Sequence, residues 1–151
     1  MSPRPPDVPI GLQLAGTARE VARAFDAELA AAGGSRPAWL VLLAVKTRQA
    51  ANQRELAAAV GIQGATLTHH LNGMEADGLL TRRRDPANRR VHLVELTDAG
   101  EAAFHRLRDV AIEHDKRLRT GFADDDLARL RTLLDRMLAN VADAETSAPR
   151  P

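Results

Sequence analysis

From Ile10 onward apolar residues recur at spacings of three and four. Leu14, Ala18, Val21, Ala22, Phe25 and Leu29 line one face of a predicted helix. Gly33-Gly34-Ser35 ends it, and Pro37 suits the first turn of a second helix with Ser35 or Arg36 before it. That helix, about Pro37 to Thr47, carries Trp39, Leu40, Leu42, Leu43 and Val45 almost all round, which predicts burial on several sides. Asn52 opens a third helix, with Glu55 three residues on in the manner of a capping box. Leu56, Ala59 and Val60 form its inner face, and Gly61 stops it. A fourth helix runs from about Gln63 to Asp77, with Leu67, Leu71 and Met74 inward and Gly78 as its stop.

There the period changes. Leu79-Leu80 and Val91 to Leu96 are two short apolar runs around a tip of Asp85, Pro86, Ala87 and Asn88. Pro fixes φ and Asn tolerates left-handed backbone, so the stretch reads as a β-hairpin. Thr97-Asp98 can cap the next helix, a long one carrying Phe104, Leu107, Ala111, Ile112 and Leu118. Gly121 breaks it, and Asp124 is the expected cap of a last helix. Its Leu127, Leu130, Leu134, Met137 and Val141 form a nearly heptad seam, which Leu133 and Leu138 widen beyond what one neighbour covers. Residues 1–9 read as a flexible arm and residues 146–151 as a loose tail. Between them a single domain over 10–145 is expected.

Charge alters the picture at the hairpin. The chain of 151 residues has a net charge of only +1, yet from Leu79 to His92 five arginines, Arg82, Arg83, Arg84, Arg89 and Arg90, stand against one acid, Asp85. A local basic patch on a near-neutral protein marks a directed contact with a polyanion. Two short helices joined by Gly61-Ile62 and followed by a hairpin make a winged helix-turn-helix, mainly α with a small β-hairpin wing. The major groove accepts one α-helix, and the partner helix holds it at a fixed angle. On the fourth helix Gln63, Thr66, Thr68 and His69 are placed to reach base edges or phosphates; His70 and Asn72 are weaker candidates. A narrow minor groove attracts Arg. Of Arg89 and Arg90, one is expected to enter it and the other to meet the backbone or brace the tip. Asn88 and Arg83 complete the candidate DNA-binding set.

Other chemistries find little support. With no cysteine there are no disulfides, Cys-ligated zinc fingers or thiol sensors. His92, His105 and His114 lack metal-site spacing, so no metal or cofactor is expected. There is no Tyr, Ser occurs only at 2, 35 and 147, and no convergent carboxylate pair is visible, which argues against an enzyme. Aromatic residues are 3% of the chain, too few for an RNA-stacking platform. Neither a secretory signal nor a membrane span is visible, and a cytoplasmic protein is expected.

The order helix, helix, the pair ELAAAVGIQGATLTHHLNGMEADGLL, the wing RRRDPANRRVHLVELTDAG and two long helices resembles the multiple-antibiotic-resistance regulator (MarR) family. The likeness covers roughly Ile10 to Ala144. Its most specific pieces are ME-x-x-GLL at Met74 to Leu80 and LT-x-x-G at Leu96 to Gly100. It implies a winged helix-turn-helix over about 37–97, with dimerisation helices over about 10–32 and 98–145. It implies a homodimer on a near-palindromic double-stranded operator, acting as repressor or activator. It also implies release by a small phenolic or aromatic acid bound between the dimer base and the winged lobe. By position, Arg90 matches the family's minor-groove arginine, and Thr66, Thr68 and His69 match reading-helix positions. The family wing often has an Asp two residues before that Arg, as a brace; here Asn88 stands there, and Asp85 is the alternative brace. Arg19, Arg23 and Trp39 are the candidate ligand-binding residues, the two Arg as partners for a carboxylate; the alternative is that Trp39 is core and both Arg are solvated helix charges. A winged-helix protein-interaction module without sequence-specific DNA binding is the alternative function.

Overall fold

The computed structural model describes residues 8–47 and 52–146, with side chains to residue 142. Six helices and one hairpin follow each other as α1 Ile10–Ala31, α2 Arg36–Lys46, α3 Gln53–Val60, α4 Gly64–Ala76, β1 Leu80–Arg84, β2 His92–Leu96, α5 Asp98–Arg119 and α6 Asp124–Thr146. The mainly helical winged architecture is the one expected. The chain forms two compact units, one ending at Glu113 and the other beginning at His114.

Local chemistry sets the boundaries in the first unit. The Ser35 hydroxyl accepts from the Ala38 amide (3.3 Å), and Pro37 lies in the first turn of α2. Asn52 Oδ1 accepts from the Glu55 amide (2.9 Å), capping α3 as its sequence predicts. Gly61 ends α3 at φ +69°, a left-handed position that favours glycine. Thr97 joins two elements: its Oγ1 accepts from the Gly100 amide at the start of α5 (3.0 Å) and donates to the Gly78 carbonyl after α4.

The core of this unit is assembled from every element up to α5. Leu29, Val41, Leu42, Leu56, Leu67, Leu71, Leu80 and Leu107 are fully buried. Each such side chain stabilises the fold by roughly 1.5–3 kcal/mol relative to exposure. Trp39 stacks on Phe104 with centroids 5.7 Å apart. The hairpin pairs antiparallel with Leu80 opposite Leu96, Arg82 opposite Val94 and Arg84 opposite His92. An isolated bridge between Asn52 and Leu93 ties the wing to the start of α3.

Three local expectations change. Ala59 is exposed, and Ala57 packs on the core in its place. The inner face of α3 is centred between Leu56 and Val60, on the side of Ala57. On α1 only the second half packs: Phe25 is half-buried and Leu29 buried, while Leu14 and Ala18 are exposed. In the second unit Asp124 is already helical, and Asp126 Oδ2 reaches back to accept from the Ala123 amide (3.1 Å). A carboxylate in the first turn thus satisfies the amide of the residue before the helix, while Asp124 itself lies inside the helix.

Candidate nucleic-acid interface

The inward positions Leu67, Leu71 and Met74 of α4 decide what it presents outward. Gln63, Thr66 and His69 are exposed, Gln63 as the residue before the helix with no side-chain capping bond. The first amides of α4 and the positive end of its dipole suit a phosphate oxygen. Thr68 is placed differently. It is half-buried, its Oγ1 accepts from Gln53 Nε2 (2.7 Å) and donates to the Gly64 carbonyl (2.9 Å). Its hydroxyl therefore locks α3 against α4, which sets the helix-turn-helix angle.

The five hairpin arginines sort into two classes. Arg82 is held by Glu75 and Asn72 of α4, and Arg83 pairs across the ladder with Glu95 (2.8 Å). Hydrogen bonding to Arg82 holds the Glu75 carboxyl below its ordinary range, and Arg83 does the same for Glu95. The Arg83–Glu95 pair is half-exposed on both sides, so it contributes little to stability. The guanidinium groups of Arg84, Arg89 and Arg90 have no ion-pair or hydrogen-bond partner among the described residues. All three are exposed.

The tip carrying two of them is built from main chain and short side chains. The Asp85 amide donates to the Val91 carbonyl (2.9 Å), and the Val91 amide to the Asn88 carbonyl (2.8 Å). Asp85 Oδ1 accepts from the Ala87 amide (2.9 Å), and Asn88 Oδ1 from the Arg90 amide (3.2 Å). Both side chains therefore shape the turn, and neither takes the bracing role expected toward the Arg90 guanidinium. Beside the wing, Arg90 and His92 line an open groove with Asn52, Gln53 and Arg54 of the α3 start.

A cleft of about 600 Å³ lies between the α1–α2 turn, α4 and α5. Gly34, Ala38, Leu42, Met74 and Leu107 give it apolar walls, and His69, His70, Asp77 and Arg106 give it polar ones. Arg106 Nε donates to the Ala32 carbonyl at the end of α1 (2.8 Å). The three ligand candidates do not line this cleft. Trp39 is in the core on Phe104, because its large apolar face is better buried there than at a cavity edge. Arg23 is exposed and pairs with Glu20 one turn away (2.8 Å), and Arg19 is exposed one turn before it on α1. Arg54 and Arg106 are absent from the sequence-derived candidates, and Arg84 is counted there in the basic patch but not among the DNA-binding residues. Arg84 was readable as the outermost cation of β1; Arg106 meets Ala32 across 74 residues, a contact no local pattern announces.

Comparison with known proteins agrees with this geometry. The MarR family model matches residues 35–92, from the cap of α2 to the start of β2. The chain is 32% identical over 97 residues to the HTH-type transcriptional regulator YdgJ of Bacillus subtilis, covering 62% of this chain and 57% of YdgJ. The matched stretch thus spans about half to three fifths of the curated relatives' length. Among solved structures, the transcriptional repressor CouR bound to a 23-mer DNA duplex is 30% identical, with a TM-score of 0.74 over 89% of this chain and 92% of that one. The transcriptional regulator PA3341 is 32% identical at a TM-score of 0.74, over 89% of this chain and 99% of that one.

Proposed function

The chain belongs to the MarR family of winged helix-turn-helix transcription regulators, and on that premise we propose that it binds a near-palindromic DNA duplex as a homodimer and releases it to a small ligand. The observation that carries the DNA reading is the pairing state of the wing. Arg89 and Arg90 stand unpaired at the tip while exposed Thr66 and His69 face outward from α4. In this reading Gln63, Thr66 and His69 address the major groove, and Arg90 lies in the minor groove beside Asn88. Arg89 and Arg84 meet phosphates, Arg83 joins them by leaving Glu95, and Thr68 acts through the angle of α4.

The dimer is supported by apolar surface that neither unit buries. Leu130, Leu133, Leu134, Met137, Leu138 and Val141 of α6 are exposed, as are Ile10, Leu12 and Leu14 of α1. An exposed stripe of this length marks an association surface. A two-fold pair then sets two α4 helices about 34 Å apart, one DNA turn. For the ligand, the α4–α5 cleft supplies apolar walls and the Arg106 guanidinium, a fit for a small aromatic acid. Among the described residues no helix is long and apolar enough to cross a membrane, and no metal-binding cluster of His, Asp and Glu occurs.

A mobility-shift titration over a salt series tests the DNA reading. Arg90→Ala should weaken binding on every duplex and reduce the salt slope by about 0.9 for each phosphate no longer neutralised. A variant that binds and responds to salt as the parent does refutes the assignment of the wing.

A further inference from the structure

Resting on the DNA-binding reading above, we propose that Arg82 is a positioning residue that locks the wing to the reading helix, so that the two groove contacts move as one body. The argument begins with strand parity. Arg82 lies two residues from buried Leu80 and opposite buried Val94, so it occupies the inward face of the hairpin. Arg83, one position on, faces the other way and pairs with Glu95. The side chain of Arg82 is 18% exposed, against 44% or more for the paired Arg23, Arg36, Arg83, Arg108 and Arg119.

Its guanidinium holds two residues of α4 at once. Nε and Nη2 donate to Glu75 Oε2 (2.9 and 2.6 Å), and Nη2 also donates to Asn72 Oδ1 (2.6 Å). Asn72 and Glu75 are three residues apart, on neighbouring turns of one helix face. One planar group thus fixes both the rotation of α4 and its distance from β1. Asn72 lies three residues beyond His69, within the same helix that presents Thr66. The wing tip projects from the far end of the strand that Arg82 anchors. The same contacts keep the cation of Arg82 off the duplex.

This separates positioning from direct contact through two variants of opposite charge. Arg82→Ala removes a cation; Glu75→Ala exposes one. If Arg82 only touched phosphate, the first would lower the salt slope by about 0.9 and leave sequence preference intact. A positioning role predicts that both variants lose preference: the ratio of affinities for preferred over random duplex falls by about tenfold in each. Arg82→Ala keeps the parental salt slope, while Glu75→Ala binds random duplex more tightly with a steeper slope. Arg82→Lys, which can reach one acceptor but not form the planar fork, should fall between.

The experiment first selects a preferred duplex for the full-length parent from a random library. It then measures both affinities for each variant by fluorescence anisotropy, below the onset of its own thermal unfolding. Loss of the affinity ratio in folded Arg82→Ala and Glu75→Ala, with the slopes as stated, supports the proposal. Retention of the parental ratio in either folded variant, or a lower salt slope in Arg82→Ala, overturns it. A parent that selects no duplex at all refutes the DNA-binding reading instead.

Discussion

Replacing Gly100 with Ala should destabilise this protein, although Ala is the better helix former. Gly100 is buried in the first turn of α5. A Cβ built there would stand 1.9 Å from the Leu79 carbonyl oxygen, 2.9 Å from its carbon and 3.3 Å from Leu96 Cβ. A relaxed carbon–oxygen contact needs about 3.3–3.6 Å, so α5 and the α4–β1 turn must part by about 1.4 Å. The carbonyl cannot swing aside: it accepts from the Thr97 amide (3.1 Å), and the Leu79 amide is bonded to the Met74 carbonyl (2.9 Å). Overpacking costs about 1–3 kcal/mol. Loss of the Thr97 bond adds about 1 kcal/mol, and helix propensity returns about 1 kcal/mol. The net destabilisation is about 2 kcal/mol, a fall of about 1 M in the urea midpoint at fixed protein concentration. Gly73→Ala is the control, since nothing lies within 4 Å of its added Cβ. Propensity alone should raise its stability by about 0.5–1 kcal/mol. A Gly100→Ala midpoint equal to or above that of the parent refutes the steric reasoning.

Three further outcomes are expected. Thr68→Val, which leaves Gln53 Nε2 without its acceptor, should cost about 1 kcal/mol in urea unfolding and weaken operator binding; unchanged stability would remove the α3–α4 lock. Leu134→Asp, placed in the exposed α6 stripe, should shift the protein from dimer to monomer in sedimentation equilibrium, and a persistent dimer would put the interface elsewhere. Acid should destabilise the fold through Glu75, Glu95 and Asp26, whose hydrogen bonds to Arg82, Arg83 and Arg36 depress their folded values below the ordinary 4.5 for Glu and 3.8 for Asp. A depressed carboxyl stabilises fully above its unfolded value and loses that contribution as pH falls through the folded one, so the loss runs downward from about pH 5. Urea midpoints in that window should be less pH-sensitive in Glu75→Gln than in the parent; identical slopes would count against the pair.

What was readable in the chain was what neighbours along it decide. The caps at Ser35 and Asn52, the stop at Gly61 and the inward triplet Leu67, Leu71 and Met74 all rest on contacts within one or two turns. The hairpin was readable because its apolar runs, Leu79-Leu80 and Val91 to Leu96, flank turn-forming residues. The destinations of polar side chains were harder. Thr68 looked like an outward hydroxyl, yet its partner Gln53 lies on the preceding helix, fifteen residues back. Arg83 and Arg82 look alike in sequence, and only strand parity and the acids opposite each distinguish them. The chemistry of Arg19, Arg23 and Trp39 suits an aromatic acid, but nothing in their local pattern says where a cleft opens. Its cation, Arg106, is brought there by packing of α5 on the α1–α2 turn.

The wing tip keeps its shape without help from the side chains at its summit. The bonds that fold it run between peptide groups or to Asp85 and Asn88, and neither Arg89 nor Arg90 contributes more than its backbone. The side chains at those two positions therefore carry no part of the turn. If the wing meets DNA as proposed, Lys or Gln in place of either Arg should alter how tightly the protein grips its target while the melting behaviour stays put. On that reading, the strength of the grip can be tuned at these two positions while staying mechanically insulated from folding.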